Sequence, residues 1–447
     1  MIFGKWRIRA ACVLWAAVPL PVLAALSGSE SAMVRSIDAE HARTIGLLER
    51  LVNVNSGSRN LPGVRKVGEM MRAELAPLGF QLRWIPMEKA GRAGHIVATH
   101  QGNGRGKRML LIGHLDTVFE PDSPFQRWAL KGKDDQGREW AEGPGAGDDK
   151  GGMVVIVAAL RAMKAAGMLK NADIEVVLTG DEEDSGDPIE LARADLIAAG
   201  KRADVALDFE GLAREDGRDM GSIARRSSNG WVVRASGRTG HSSRIFSDGV
   251  GYGAAYELVR IIDRFRSELP EPNLTFNVGL IAGGATQTTD PDGIRMAASG
   301  KGNIIPPVAE ARGDLRTLSD EQTERVRAKM AAIVADHLPG TKAEISFDPG
   351  GYPAMAPTAG NKAILDRLNL VNRDLGLAEM PPLDPLKRGA GDISFVAKDV
   401  DSYVGMGAYS TGDHAPGERV DLTSIPLQAK RAAILMTRLS RERREKR

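Results

Sequence analysis

Cysteine is almost absent from this chain of 447 residues, because Cys12 is the only one. Cys12 lies in an N-terminal segment that we expect to be removed, so disulfides and thiolate metal ligands are excluded from the mature protein. An excess of one sign of charge is also lacking, since 60 lysines and arginines are interspersed with 58 acidic residues. A basic face is therefore not predicted, which argues against a nucleic-acid partner.

Long apolar runs are missing as well, with one exception at the N-terminus. Basic residues at positions 5, 7 and 9 precede apolar residues 10–23, and the residues that follow have the spacing for cleavage after Ala24. The run is short for a membrane span and contains two prolines, which disfavours a retained anchor. We therefore predict that residues 1–24 are a Sec-type signal peptide and that the mature chain, without a membrane span, is periplasmic or secreted.

Apolar periodicity in the next part of the chain predicts an alternation of helices and strands. Helices are predicted at 39–54, 64–78 and 152–166, and strands at 80–85, 96–100, 109–112, 174–178 and 204–207. The helix at 152–166 is apolar on nearly every side, so we expect it to be buried against a sheet. This alternation is typical of an α/β fold with a doubly wound, mostly parallel sheet.

From residue 230 the order of elements changes to strand, helix, strand, strand, helix, strand. These elements are predicted at 231–235, 251–265, 274–281, 308–316, 319–337 and 343–347, with an irregular polar excursion at 286–301. The order is that of a ferredoxin-like α+β domain, which we place at 225–345 as an insertion. The first domain then comprises 25–224 and 346–447, and its second part is predicted to contain a helix at 361–375, a strand at 402–406 and a helix at 425–439.

Acidic side chains and histidines follow several of the predicted strands. A loop of five glycines and one proline at 143–152 carries two aspartates into the buried helix, and loops of this kind hold the backbone close to a ligand. Ligands of open α/β sheets bind at the carboxyl ends of strands, so we expect these side chains to meet at one edge. They are His114, Asp116, Asp148, Asp149, Asp181, Glu182, Glu183, Asp208, Glu210 and His414.

A metal centre accounts for so many acids in one crevice, where unpaired like charges would repel by several kcal/mol. Imidazole and carboxylate ligands without thiolate favour zinc, with Co²⁺ or Mn²⁺ as substitutes. Three carboxylates are balanced by two Zn²⁺ and a bridging hydroxide, so two ions are favoured over one. The candidate ligands are His114, Asp148, Glu183, Glu210 and His414, although Asp149 could replace Asp148 as the shared carboxylate and Asp208 could replace Glu210.

These motifs resemble those of the dinuclear-zinc exopeptidases, a family that includes glutamate carboxypeptidase, succinyl-diaminopimelate desuccinylase, aminoacylase and several dipeptidases. The resemblance extends over about residues 53–425. It rests on Gly113-His114-Leu115-Asp116-Thr117-Val118, on Gly143-Pro144-Gly145 before Asp148-Asp149-Lys150-Gly151-Gly152, on Asp181-Glu182-Glu183, on Phe209-Glu210, and on His414 before Val420-Asp421.

The resemblance implies a role for each residue of the centre. One zinc would be held by His114 and Glu210, the other by Glu183 and His414, and both by Asp148. Asp116 would orient His114. Glu182, adjacent to a ligand, would be the general base that takes the water proton and passes it to the leaving amine.

The inserted domain would act as a lid and as the dimerisation domain. His241, within Gly240-His241-Ser242-Ser243, is similar to the family's lid histidine, which reaches the partner subunit's site and stabilises the tetrahedral oxyanion, so a homodimer is implied. Asn303 and Arg316 resemble lid residues that contact substrate, and Gly391 belongs to a glycine-rich loop along the substrate. The residue types leave open whether Arg316 clamps a substrate carboxylate or is solvated.

The activity implied by the resemblance is that of an exported zinc carboxypeptidase. It would cleave the amide bond before the C-terminal residue of a small peptide or an N-acyl amino acid, through attack by metal-bound hydroxide. Dipeptidase and deacylase activities are alternatives that use the same site, and a non-catalytic peptide-binding protein is a remote one. Tyr352 departs from the pattern, because glutamate carboxypeptidase has an arginine before the corresponding Pro-Ala pair. A preference for acidic C-terminal residues is therefore not predicted, although Arg225 or Arg226 could replace the missing cation.

Overall fold

A computed structural model describes residues 26–444 of the chain. The predicted signal peptide and Cys12 lie outside these residues, so export stays a prediction. Within residues 26–444, no helix combines the length and the hydropathy that crossing a membrane requires.

Helices and strands alternate in the first part of the chain. The helices are α1 (Gly28–Ala39), α2 (His41–Val52), α3 (Leu61–Leu75), α4 (Lys150–Ala165), α5 (Ile189–Ala192) and α6 (Ala194–Arg202). The strands are β1 (Gln81–Pro86), β2 (Gly94–His100), β3 (Arg108–His114), β4 (Ala129–Lys133), β5 (Glu139–Glu142), β6 (Asp173–Thr179), β7 (Val205–Asp208), β8 (Ala213–Glu215) and β9 (Arg218–Met220).

The remaining elements form a smaller domain and then complete the larger one. The smaller domain contains β10 (Asn229–Gly237), β11 (Gly240–His241), α7 (Gly253–Glu268), β12 (Thr275–Gly284), β13 (Thr286–Thr289), β14 (Met296–Ser299), β15 (Ile304–Ile305), β16 (Val308–Arg316), α8 (Asp320–Ala335) and β17 (Thr341–Phe347). The chain then returns through α9 (Ala359–Asp374), β18 (Ser402–Val404), β19 (Ser410–Thr411), β20 (Arg419–Asp421) and α10 (Ser424–Leu439).

The central sheet has the strand order β1-β2-β6-β3-β7-β18. Strands β6, β3, β7 and β18 run parallel to one another, and β1 and β2 extend the sheet in antiparallel fashion. Side chains of β3 alternate between the two faces, because Leu111 packs in the core that contains α4 whereas Leu110 packs in the core that contains α6. The prediction of a doubly wound, mostly parallel α/β sheet is confirmed.

Helix α4 is the most deeply buried helix of the larger domain. It is buried from Lys150 to Met163 and packs against β3, α1, α2 and α10. Burial on every side agrees with its apolar sequence, as we predicted. Because α4 begins directly after Asp148 and Asp149, its fixed position also fixes where the glycine-rich loop meets the sheet.

The smaller domain has a four-stranded antiparallel sheet in the order β12-β16-β10-β17. Helices α7 and α8 cover one face, where Phe265 and Met330 pack against Trp231 and neighbouring apolar side chains. The order second, third, first, fourth is that of a ferredoxin-like sheet, so this prediction is confirmed as well.

Two predictions about individual segments were wrong. No helix was predicted between the signal peptide and residue 39, but Ser27 and Glu30 form a capping box for α1, which buries Met33 and Ile37. The excursion at 286–301 contains the hairpin β13–β14. Its turn is closed by the carboxylate of Asp290, which accepts hydrogen bonds from two later backbone N–H groups.

Two chain segments, 222–229 and 348–355, connect the two domains and run side by side. Their backbones form isolated antiparallel bridges between Arg225 and Met355 and between Ser228 and Tyr352. The second bridge has two hydrogen bonds, of 3.0 Å and 2.8 Å. We call this pair of segments the crossover.

Candidate metal centre and active site

The site lies at the carboxyl edge of the parallel strands. His114 is the last residue of β3, Glu182 and Glu183 follow β6, and Glu210 follows β7. The short sheet β19-β20-β5-β4 brings the loop that carries His414 beside the glycine-rich loop. Residues from distant parts of the chain therefore meet where ligands of doubly wound sheets bind.

Asp148 lies between two histidines. Its Oδ1 is 2.9 Å from Nε2 of His114, and its Oδ2 is 3.1 Å from Nε2 of His414. Each of its oxygens thus faces a different imidazole, which is the arrangement that a carboxylate bridging two cations requires.

The other acids complete two overlapping groups of donor atoms. Nε2 of His414 is 3.2 Å from Oε2 of Glu183, and Nε2 of His114 is 3.9 Å from Oε1 of Glu210. Donor atoms of His114, Asp148 and Glu183 lie within 4.8 Å of one another, and so do those of His114, Glu182 and Glu210. Together with His414, which lies against Asp148 and Glu183, these residues offer one imidazole and several carboxylate oxygens to each of two ions.

The alternative ligands point elsewhere. Oδ2 of Asp149 accepts a hydrogen bond of 3.2 Å from the backbone N–H of His114, and the Asp149 side chain is buried against α4. Oδ2 of Asp208 lies 3.6 Å from Nη1 of Arg225. These contacts leave Asp148, rather than Asp149, between the two imidazoles.

Burial of the acids makes the centre electrostatically costly without cations. Burial and the nearby charge of Asp148 raise the pKa of Glu183 to about 11. Burial and Glu210 raise the pKa of Glu182 well above its usual range. Divalent cations remove this repulsion, and the donor set contains only imidazole and carboxylate. The residues present therefore fit a pair of divalent metal ions.

Asp116 connects a histidine to the loop that carries the two glutamates. Nδ1 of His114 is 3.1 Å from the carbonyl oxygen of Asp116 and 3.4 Å from its Oδ1. The same carboxylate accepts hydrogen bonds of 3.1 Å from the backbone N–H groups of Glu182 and Glu183, and one of 2.6 Å from Oγ of Ser58. Asp116 thus sets the relative positions of His114 and the Glu182–Glu183 pair.

Glu418 holds the glycine-rich loop 143–152 in place through hydrogen bonds, and it was not predicted from the sequence. Its buried carboxylate accepts hydrogen bonds from the backbone N–H groups of Gly145 at 3.1 Å, Gly147 at 2.8 Å and Asp148 at 3.1 Å. An acid four residues after His414 was the available signal, but partners that are backbone groups leave no pattern in the sequence.

A cavity of about 550 Å³ opens beside the centre and is bordered by Asp148, Glu210 and His414. Arg225 and Arg388 line its other side. Glu210 lies 3.5 Å from the first of these guanidinium groups and 3.9 Å from the second. The acids of the centre that border the cavity therefore lie next to guanidinium groups.

The loop 389–392, which contains Gly391, borders this cavity at Gly389, and Arg316 approaches this loop. A Cβ atom on Gly391 would lie 2.1 Å from Nη1 of Arg225, so a side chain there would displace this guanidinium group. Nε of Arg225 donates to the carbonyl of Gly389 at 2.6 Å. Arg316 pairs with Asp314 at 2.9 Å, and its Nη1 would lie 3.5 Å from a Cβ atom on Gly389. Arg316 therefore reaches the loop 389–392 from the smaller domain.

His241 and Asn303 lie together in the smaller domain and do not join the metal groups. The strand pair β11–β15 places His241 opposite Ile304, and the carbonyl of Asn303 accepts a hydrogen bond from Ser242 at 2.9 Å. The exposed imidazole of His241 bonds to Ser243 at 2.9 Å. Neither residue has a contact with the centre of its own chain among the bonds described for residues 26–444.

Histidine and carboxylate donors at the carboxyl edge of a doubly wound sheet are the features of a metallohydrolase. Residues 110–438 match the model of peptidase family M20/M25/M40, and the chain therefore belongs to this family.

Related proteins agree with this assignment. Carboxypeptidase G2 from Pseudomonas sp. (strain RS-16) is 26% identical over 418 residues, which cover 91% of this chain and 92% of the relative. Succinyl-diaminopimelate desuccinylase from Leptothrix cholodnii is 28% identical over 204 residues, which cover 45% of this chain and 52% of the relative. The solved structure of the Bacillus subtilis YXEP protein, a dinuclear metal-binding peptidase of the M20 family, has a TM-score of 0.60 at 16% identity and covers 90% of this chain and 99% of that one.

Proposed function

We propose that this protein is an exported, zinc-dependent amidohydrolase of the carboxypeptidase type. Its substrate is a small peptide or an N-acyl amino acid, and the bond cleaved is the amide before the C-terminal residue. The observation that carries the proposal is Asp148 between His114 and His414, with the carboxylate of Glu182 among the neighbouring donors.

His114 and Glu210 would hold one Zn²⁺, Glu183 and His414 the other, and Asp148 both. Bound zinc lowers the pKa of a coordinated water to about 7 and polarises a carbonyl group. Glu182 accepts a proton from the attacking water as the new carbon–oxygen bond forms. It then delivers this proton to the amide nitrogen as the carbon–nitrogen bond breaks, so the products are a carboxylate and a free amine. Asp116 keeps Glu182 in reach of both positions through the backbone bond at 3.1 Å.

Arg316 is proposed to bind the carboxylate of the C-terminal residue. Its side chain extends from the smaller domain to the loop 389–392 and is one-third exposed. Its Nε donates a hydrogen bond to Asp314, which leaves the other nitrogens of the guanidinium group for a substrate. Arg226 is already engaged, because it donates to Thr275 and to the carbonyl of Leu386. The names of two relatives, carboxypeptidase G2 and succinyl-diaminopimelate desuccinylase, both describe enzymes that hydrolyse amide bonds, which supports the proposed reaction.

Activity would be tested with the metal-loaded chain, before and after treatment with a chelator. A panel of dipeptides and N-acyl amino acids with acidic or neutral C-terminal residues separates carboxypeptidase, dipeptidase and deacylase activities. Binding without turnover across the panel would favour the alternative of a peptide-binding protein. Turnover that survives complete metal removal would contradict the proposal.

We further propose that the protein is a homodimer and that His241 acts in the partner's site, where it stabilises the oxyanion. The exposed position of His241, away from the centre of its own chain, supports this assignment. Export is supported by the N-terminal segment of the sequence. Sequencing of the mature chain from the periplasm or medium should give Ala25 as its first residue.

A further inference from the structure

Tyr352 occupies the position where the resemblance to glutamate carboxypeptidase led us to expect an arginine, and its side chain does not line the cavity beside the metal centre. It lies in the crossover, where its backbone pairs with Ser228. The phenol instead points beneath the loop that carries Glu182, and its oxygen is 2.8 Å from the Glu182 carbonyl oxygen. The residue at this position therefore carries no charge and contacts the loop of the proposed general base.

Every hydrogen-bonding capacity of this phenol is used. The carbonyl of Glu182 can only accept, so the phenol donates its single proton there. Nη2 of Arg193 donates to the phenol oxygen at 2.9 Å, and Oγ of Ser185 lies 2.7 Å from it. A phenol with three partners in fixed positions has one orientation, and this orientation is the one that bonds to Glu182.

Arg193 makes the support beneath the phenol rigid. It is fully buried, and it bonds to Asp181 and to Asp392 at 2.7 Å each. Asp181 directly precedes Glu182, and Asp392 is the last residue of the loop 389–392. The ring of Tyr352 also packs against Phe395, with 4.9 Å between the ring centroids. The phenol is therefore held by Phe395 and by the Arg193–Asp392 pair outside the loop that carries Glu182, and by Ser185 within it.

We propose that Tyr352 is a positioning residue that couples the crossover between the domains to the backbone of the general base Glu182. Tyr352 belongs to the crossover, which leads from the smaller domain, and its hydroxyl belongs to the hydrogen-bond network around the loop that carries Glu182. Movement of the lid relative to the larger domain is thereby transmitted to the Glu182 carbonyl. This inference rests on the proposed function for its catalytic meaning, but the structural coupling can be measured separately.

The test is the variant Tyr352→Phe, which removes the hydroxyl and leaves the ring against Phe395. Arg193 keeps its two aspartates in this variant, so the fold is expected to survive. Tyr403 offers a matched control, because its hydroxyl is buried and has no hydrogen-bond partner among residues 26–444. Tyr403→Phe removes the same atom from the same larger domain without touching the Glu182 loop.

Two measurements are made on both full-length, metal-loaded variants and on the wild type. In Tyr352→Phe we expect kcat to fall by about 10-fold or more with KM within about twofold, because the general base is misplaced while substrate binding is kept. We also expect amide hydrogen exchange in residues 181–186 to accelerate by about fivefold, the scale of one lost hydrogen bond. Tyr403→Phe should match the wild type in both.

The exchange rates test the coupling through Tyr352, and turnover by the wild type tests the proposed function. An unchanged exchange rate in residues 181–186 of Tyr352→Phe would overturn the coupling. So would a loss of kcat that simply follows a loss of bound metal or a lower melting temperature. If the wild type turns over no substrate of the panel, the proposed function fails, whereas the exchange rates still decide whether Tyr352 positions the loop.

Discussion

Oδ2 of Asp148 lies 3.1 Å from Nε2 of His414, a residue 266 positions later in the chain. The fold brings them together because β20 pairs with β5. The loop that carries His414 directly precedes β20, and β5 leads directly into the glycine-rich loop 143–152. A carboxylate oxygen and an imidazole nitrogen that lie 3.1 Å apart form either an ion pair or part of a metal site. The second imidazole, on the other oxygen of Asp148, favours the metal site.

The variant Asp148→Asn keeps the shape of the side chain but has one oxygen and no charge. We expect its metal content to fall from two ions per chain to one or none, and its activity to fall by more than about 100-fold, because one ligand serves both ions. Elemental analysis of the dialysed protein measures the first effect. Asp366→Asn is the control, since Asp366 pairs with Lys362 on the surface of α9. Two retained ions in Asp148→Asn would contradict the bridging role.

The role of Glu182 can be separated from metal binding. Glutamine at this position cannot carry the proton from water to the amine, so we expect kcat to fall by about 100-fold or more while two metal ions remain bound. Steady-state kinetics and elemental analysis on the same preparation are required. Glu324→Gln, an exposed change on α8, serves as the matched control. Unchanged turnover would rule out Glu182 as the base.

Glu418 is predicted to control metal affinity without being a ligand. In Glu418→Gln, an amide NH₂ replaces one of the oxygens that accept from Gly145, Gly147 and Asp148, so one N–H group of the loop loses its partner. We expect the affinity for the weaker of the two ions to fall about 10- to 100-fold, as is usual when the support of a metal ligand is removed. Competition with a chromophoric chelator measures this affinity. Glu442→Gln, which alters a pair with Arg367, should leave it unchanged.

The sequence predicted elements and site candidates better than it predicted contacts between distant segments. Strands such as β3 and the buried helix α4 have apolar patterns that are long and regular, and acids directly after strands follow a rule of doubly wound sheets. Helix α1 was missed although its capping box is visible in the sequence, because its polar face masked the buried Met33 and Ile37.

Contacts made through backbone groups could not be predicted in the same way. The partner of the Tyr352 hydroxyl is a carbonyl oxygen 170 residues away, and a carbonyl has no signature in the sequence. The same holds for Glu418, whose partners are backbone N–H groups. The tyrosine could be recognised as a departure from an expected arginine, but only the packing of the crossover against the catalytic loop determines where its side chain points.

The stability of the smaller domain should depend on pH through Glu257. This carboxylate is fully buried on α7 and, although burial opposes it, hydrogen bonds from Arg260 and from the backbone N–H of Leu338 hold its pKa below its usual value. A lowered pKa means that the folded state favours the charged form, so the stabilisation is present above the unfolded-state pKa and is lost as pH falls through the folded-state pKa.

We therefore expect Glu257→Gln to lower the thermal unfolding midpoint at pH 7, by an amount equivalent to about 2 kcal/mol. The difference from the wild type should shrink once the pH falls below 4.5, the ordinary pKa of a glutamate. Unfolding curves at several pH values measure this. A difference that is the same at pH 7 and at pH 3 would show that the charge of Glu257 does not contribute.

The assignment of His241 to the partner's site can be tested by complementation. We expect His241→Ala alone to lose activity by about 100-fold or more, the usual effect of removing an oxyanion donor. The variants Glu182→Gln and His241→Ala are co-expressed with different tags at equal levels. If each site combines Glu182 of one chain with His241 of the other, a mixed dimer has one intact site. Half of the dimers are mixed and half of their sites are intact, so about a quarter of the wild-type activity should return.

A second pair of variants provides the control for this experiment. Glu182→Gln combined with Asp148→Asn places both defects in the same part of the site, so each chain of a mixed dimer spoils its own centre and no activity returns. Recovery in the first pair but not in the second requires that His241 crosses the subunit boundary. Purification of a sample through both tags shows that mixed dimers form. Residual activity alone in both pairs would then mean that His241 acts within its own chain. In that case its exposed position, bonded to Ser243, would have to change by movement of the lid.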